Sequence, residues 1–253
     1  MRSLSWLFSR LVLGLSWLTP GLLSGGELRF QVTRVLSLPS DDGQQGIATD
    51  GVHLFVQNTQ QLFKYDLSGK LLVTGPKRKL HHGGITHVAG KLYCAVSGCE
   101  PAGSPIHQIN VYDSESLKLL ATHDVRQHFT VCAGGIAWHR KHFFVAESYF
   151  DDDHEDRIVQ FDATFKHVKT HTVAVRSPAG IQGLEYLPES NQFQVHSHAG
   201  DFYRINAHFD NTSVIPGKSD FALQDLARLT AETILVNHRA AASVLFVKVV
   251  PSR

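Results

Sequence analysis

The chain has 253 residues, a formal net charge of +1 at neutral pH and 43% hydrophobic residues. That balance excludes the clustered basic surface on which nucleic-acid binding depends. The one basic cluster, Lys77-Arg78-Lys79, is short and reads as a solvated turn. Three cysteines exclude a disulfide-dense scaffold, so stability must come from a hydrophobic core, which a domain of this size can bury.

Residues 1–26 read as a secretory signal. Arg2 and Arg10 supply the positive region, residues 11–23 an apolar run broken by Pro20, and Ser24-Gly25-Gly26 a small-x-small cleavage site. The run is too short for a comfortable membrane span, the alternative being an uncleaved N-terminal anchor. The mature chain is expected to be a single domain over residues 27–253, without a membrane span, secreted or periplasmic.

The mature part repeats. Gly46-Ile47 opens a unit with strand-like runs at 52–58, 61–66 and 70–73, separated by turn residues. Gly84-Ile85 opens a second (90–97, 108–113, 117–121) and Gly135-Ile136 a third (141–148, 157–162, 167–170). Gly183-Leu184 opens a fourth (191–197, 201–206), and Asp225-Leu226 an eroded fifth (233–238, 244–247). Starts fall 38 to 51 residues apart, close to the period of a four-strand propeller blade. Asp66, Asp113 and Asp162 end the third runs, where aspartate bonds its own backbone to set a turn. An additional run at 28–36 precedes the first repeat. The pattern predicts an all-β fold, a five-bladed β-propeller closed by this N-terminal strand acting as the outer strand of the fifth blade. An open solenoid is the alternative.

In such a blade, the loop entering the inner strand and the loop between the second and third strands share one face. The long loops and most of the amides and imidazoles fall there, which makes the top of the central channel the expected site. Candidate ligand-binding residues are Gln45, Asn58, Gln182, Gln224 and Asn237. His82, beside Gly83-Gly84, is expected to point into the channel mouth as a metal ligand or acid/base. His196 and His198, two apart, share a face if extended, and with His82 and His238 would form a site for Zn²⁺ or Mn²⁺. Glu147 is a carboxylate among amides and imidazoles, a candidate general base or the partner of an arginine. His82, Glu147 and His196 are thus the candidate catalytic set. The acidic run at 151–156 offers oxygens to Ca²⁺ or is a solvated loop. Cys99 and Cys132 lie on neighbouring loops of this face and are placed to pair; Cys94 reads as core. No GxSxG, Walker loop, CxxC or HExxH occurs.

The segments QGIATDG at 45–51, HGGI at 82–85 and GI at 135–136, each followed by a β run, resemble secreted bacterial propellers of largely unassigned function. The layout is similar to the plant-type glutaminyl cyclases, which are five-bladed, and more loosely to the gluconolactonase and strictosidine-synthase-like propellers. The cyclase resemblance implies a polar channel mouth holding Gln45, Glu147 and Gln182. Two functions follow as expectations. One is a hydrolase, lyase or cyclotransferase on a small polar substrate, working with a divalent metal (Zn, Mn or Ca) or with none. The other is a non-catalytic propeller that binds a small polar molecule, glycan, peptide or protein, with Phe129, Tyr149 and Phe150 as aromatic contacts.

Overall fold

The computed structural model describes residues 27–39, 42–98 and 105–251. The segment read as a signal, and Cys99, therefore lie outside the described residues. The alternating runs form strands and no α-helix among the described residues, and none of these forms a helix long and apolar enough to cross a membrane. The chain opens with β1 (Leu28–Ser37). Repeat one supplies β2 (Ile47–Thr49), β3 (His53–Gln57), β4 (Leu62–Asp66) and β5 (Leu71–Thr74). Repeat two supplies β6 (His81–Val88), β7 (Lys91–Ser97), β8 (His107–Asp113) and β9 (Leu119–Asp124). Repeat three supplies β10 (Cys132–His139), β11 (His142–Ser148), β12 (Asp156–Asp162) and β13 (His167–Val173). Repeat four supplies β14 (Gly183–Leu187), β15 (Gln192–His196), β16 (Asp201–Asn206) and β17 (Ile215–Lys218). Repeat five supplies β18 (Leu223–Arg228), β19 (Ile234–His238) and β20 (Ser243–Pro251).

Repeats one to three each form a four-stranded antiparallel sheet in chain order, the arrangement of a propeller blade. The remaining strands form one eight-stranded sheet in the order β14-β15-β16-β17-β1-β20-β19-β18. β1 lies antiparallel on β20 from Leu28↔Pro251 to Ser37↔Ser243, the outer place of repeat five. It also touches β17 in parallel at Leu28↔Gly217, a link with no signal in the repeat pattern. β17 itself carries Pro216 and Gly217, residues depleted in strands, which hides it from a sequence reading. Gly217 is needed there because a Cβ would enter the Phe202 ring.

The turns follow the expected chemistry. Asp66 Oδ1 accepts from the Ser68 N–H at 2.8 Å and the Lys70 N–H at 2.9 Å. Asp162 does the same for Thr164 and Lys166, and Asn206 takes that role in repeat four. The core lies between neighbouring sheets. Ala48, Phe55, Leu92 and Tyr112 fill the junction of repeats one and two; Leu54, Tyr65, Leu235 and Phe246 fill that of one and five.

The inner strands touch in the sequence β2–β6–β10–β14–β18–β2. They come so close that the repeat-opening glycines are steric requirements. A Cβ on Gly46 would lie 2.7 Å from Ile85 Cγ2, on Gly84 2.7 Å from Gly135 Cα, on Gly135 2.6 Å from Leu184 N, and on Gly183 2.9 Å from Asp225 Cα. Gly135→Ala is expected to cost about 2 kcal/mol or more through backbone displacement. Gly90→Ala, in a turn at φ +77° with open space around it, should cost only about 1 kcal/mol. Urea denaturation of the two variants measures the difference.

Candidate functional site

β6, β10 and β18 each change register at the place where they enter the sheet, between His82 and Ile85, Ala133 and Ile136, and Leu223 and Leu226. A bulge leaves two residues facing one partner and re-aims the side chains around it. The residues in the bulges are Gly83-Gly84, Gly134-Gly135 and Gln224-Asp225. Gln45-Gly46 and Gln182-Gly183 occupy the matching places in repeats one and four. The second residue of each pair packs against the next inner strand. The first of each (Gln45, Gly83, Gly134, Gln182, Gln224) lines a cavity of about 310 Å³.

Three glutamines make its floor. Gln224 Nε2 donates to Gln45 Oε1 at 3.0 Å and to Gln182 Oε1 at 3.2 Å, and Gln182 Nε2 donates to the Ala179 carbonyl at 2.9 Å. Gln224 is buried and its Oε1 has no partner. The wall carries His81, His198 and Arg239 on one hand and Tyr149 and Phe150 on the other. Burial, then the charge of Arg239, holds the His81 pKa below the usual histidine value; burial, Arg239 and His81 push that of His198 down to about 4. Both rings are therefore neutral at neutral pH. Every lining residue comes from an inner-strand entry or from a loop between second and third strands. No Asp or Glu is among the described lining residues.

Asp225 stands where the other repeats have glycine. Its Oδ2 accepts from the Ile47 N–H at 3.1 Å and the Ile85 N–H at 3.2 Å, while Oδ1 has no partner. The carboxyl thus ties the inner strand of repeat five to those of repeats one and two. Burial raises its pKa well above the usual carboxylate value against three backbone N–H groups that lower it, and nearby Glu185 raises it further. Burial likewise pushes Glu185 up to about 8. The eroded fifth repeat gave this residue no motif; its only signal was an aspartate at a glycine position.

Several expected side chains go elsewhere. His82 is not at the channel mouth. Its neighbour His81 takes that side, and His82 turns between the sheets, where Nε2 meets the Tyr112 hydroxyl at 3.1 Å and burial pushes its pKa down to about 4. His196 and His198 do not share a face, because β15 ends at His196. His196 is buried at 5.5 Å from the rings of Phe30 and Phe202, with a pKa pushed down to about 3. His238 packs on Phe221. The four imidazoles therefore do not converge. Among the described residues no three His, Cys, Asp or Glu side chains form a group able to hold a metal ion, so the donor set does not fit a Zn, Mn or Ca centre. Glu147 is fully buried and bound to Arg157, to the Thr130 N–H at 2.6 Å and to the Tyr149 hydroxyl at 3.1 Å. It anchors the loop that carries Tyr149, rather than facing the cavity.

Asn58 Oδ1 accepts the N–H groups of Gln60 and Gln61 in a local turn. Asn237 Nδ2 donates to the Gln45 carbonyl at 3.1 Å and supports the floor from behind. In the acidic loop, Asp151 bonds His154 and Asp152 accepts from the Ala179 N–H. Phe129 is core. Cys94 is buried and free, and Cys132, on the cavity wall, is disulfide-bonded.

No protein-family model matches the chain, and no curated protein matches it. Among solved structures it is similar to the crystal structure of Myxococcus xanthus glutaminyl cyclase, with a TM-score of 0.70 over 90% of this chain and 99% of that one, at 12% identity. A chain of the mitotic checkpoint complex aligns over 81% of this chain and 63% of its own, at 14% identity and a TM-score of 0.48, too low to carry an argument. At 12% identity the first likeness shows that the two chains share a fold and nothing more.

A raised carboxyl pKa means that the folded state keeps a proton the unfolded chain has lost, so stability falls as pH rises from the unfolded value towards the folded one. Asp225→Asn mimics the protonated acid. It is expected to fold and to lose less stability than the parent between about pH 5 and 8. Denaturation curves across that range check this; a variant weakened by several kcal/mol at every pH would show instead that the anion is required.

Proposed function

We propose that the chain is an exported five-bladed β-propeller, with residues 1–26 as its signal and β1 closing the fifth blade, and that its channel-mouth cavity binds a small polar ligand. The cyclic contacts of the inner strands and the β1–β20 pairing support the blade count and closure. The observation that carries the functional reading is the convergence of one residue from each inner-strand entry on a single cavity, floored by the amides of Gln45, Gln182 and Gln224. A mostly pre-formed concave site with a few fixed polar groups is what small-ligand recognition requires. Because these amides are bonded to one another and braced by Asn237, they lose little freedom when a ligand arrives.

A second reading, acid–base chemistry by a hydrolase, lyase or cyclotransferase, is favoured by the neutral imidazoles of His81 and His198 in the same cavity. The fold shared with a glutaminyl cyclase is compatible with it. Binding is the better-supported reading, because a base with a pKa near 4 is weak at neutral pH and no carboxylate among the described residues lines the cavity.

Crystals soaked with a library of small polar fragments should show hits in this cavity. Gln224→Leu should keep the thermal midpoint within a few degrees and weaken the best hit at least tenfold. Hits confined to other surfaces, or unaffected by Gln224→Leu, would overturn the reading.

A further inference from the structure

We propose that the ligand of this cavity is the C-terminal end of a peptide, its carboxylate met by Arg239 and its last amide N–H by Gln224. The inference rests on the reading of the cavity as a ligand site and adds its chemistry.

Four observations carry it. Arg239, on the 3₁₀ turn Arg239–Ala241 at the cavity rim, forms no ion pair with any described residue. A guanidinium presents a rigid fork of donors that matches a carboxylate in a bidentate manner. His81 and His198 stand in its field and, being imidazoles, provide further ring N–H donors without adding fixed charge. The second observation is the Oε1 of Gln224, a buried acceptor without a partner, on a residue that lines the cavity. Its Nε2 is committed to two glutamine oxygens, which fixes the orientation of the amide and leaves Oε1 to accept. An orphaned buried acceptor is costly until a donor reaches it.

The third observation separates amide from amine. Among the described residues no carboxylate lines the cavity, so a ligand ammonium would find no counter-charge from them, while a neutral N–H finds its acceptor. A free amino acid is disfavoured, and a peptide end, which carries a carboxylate and an uncharged N–H on one residue, is favoured. The fourth is the apolar wall. Tyr149 is fixed by its hydroxyl bond to Glu147 and by stacking on His154 at 4.3 Å, and Phe150 beside it is 56% exposed. These rings suit an apolar or aromatic last side chain.

Calorimetric titration of the mature protein with N-acetyl-Gly-Phe, its C-terminal amide and unacetylated phenylalanine tests this. The acetylated acid should bind, and amidation should weaken it at least tenfold, as should replacement by free phenylalanine. Arg239→Ala, an exposed position expected to leave the thermal midpoint unchanged, should abolish the preference for acid over amide, and Arg239→Lys should restore part of it. Equal binding of acid and amide, or an undiminished preference in Arg239→Ala, would overturn the inference. If the acetylated acid fails while fragments of other chemistry bind in a Gln224-dependent way, the cavity reading stands and this inference falls. If nothing binds, both fall.

Discussion

The structure depends on how closely its inner strands approach one another. Four of the five repeats open with a glycine because the next strand's backbone or its first side chain lies where a Cβ would be. In the fifth repeat Asp225 takes that place, and its carboxyl accepts N–H bonds from Ile47 and Ile85, the residues that follow the glycines of repeats one and two. Bonds across sequence separations of 178 and 140 residues couple the C-terminal repeat to the first two. The β1–β20 pairing does the same at the outer edge. The first and last described strands are therefore held by long-range contacts, which are slow to form and stabilising once formed.

That approach also decides what the site can be. With the second residue of each entry pair pressed against a neighbour, only the first faces the cavity. Three of these are glutamines: Gln224 Nε2 donates to the Oε1 of both others, and Gln224 Oε1 is left without a partner. The junctions are stitched in the same layer by side chains ending the second strands. Gln57 donates to the Gly83 carbonyl, Ser97 accepts from Ala133 N–H, Ser148 donates to the Ile181 carbonyl and Asn237 to that of Gln45. Polar residues that look like a ring of ligands in the sequence thus serve largely as links between sheets. The remaining polar groups on the cavity are those of the floor and of the wall, where His81, His198 and Arg239 stand.

Much of the fold was legible because its grammar is local. Runs of alternating residues ended by Asp-x-Ser or Asp-x-Thr turns can be read without tertiary knowledge, and the extra N-terminal strand followed from counting strands. β17 escaped because a strand containing Pro216 and Gly217 is held by its partners β16 and β1, not by its own propensity. The face on which the cavity opens was also legible, since loop order assigns its lining residues. The side chains were not. Between His81 and His82, or His196 and His198, the outcome turns on a bulge and on a strand ending at His196, and a one-residue change reverses which way a side chain points. Glu147 shows the same limit: its place in the strand was clear, but its partner Arg157 lies on the neighbouring strand β12.

His81 and His198 share the cavity with Arg239, while His82 and His196 are buried away from it. Imidazole ¹⁵N spectra of the parent protein and of Arg239→Ala, recorded from about pH 4 to 8, test it most directly, because a nearby positive charge lowers a histidine pKa and its removal raises it. His81 and His198 should titrate at higher pH in the variant, and His82 and His196 should stay neutral above about pH 5 in both proteins. An ordinary titration of His82 or His196, or a response of either to the loss of Arg239, would contradict it.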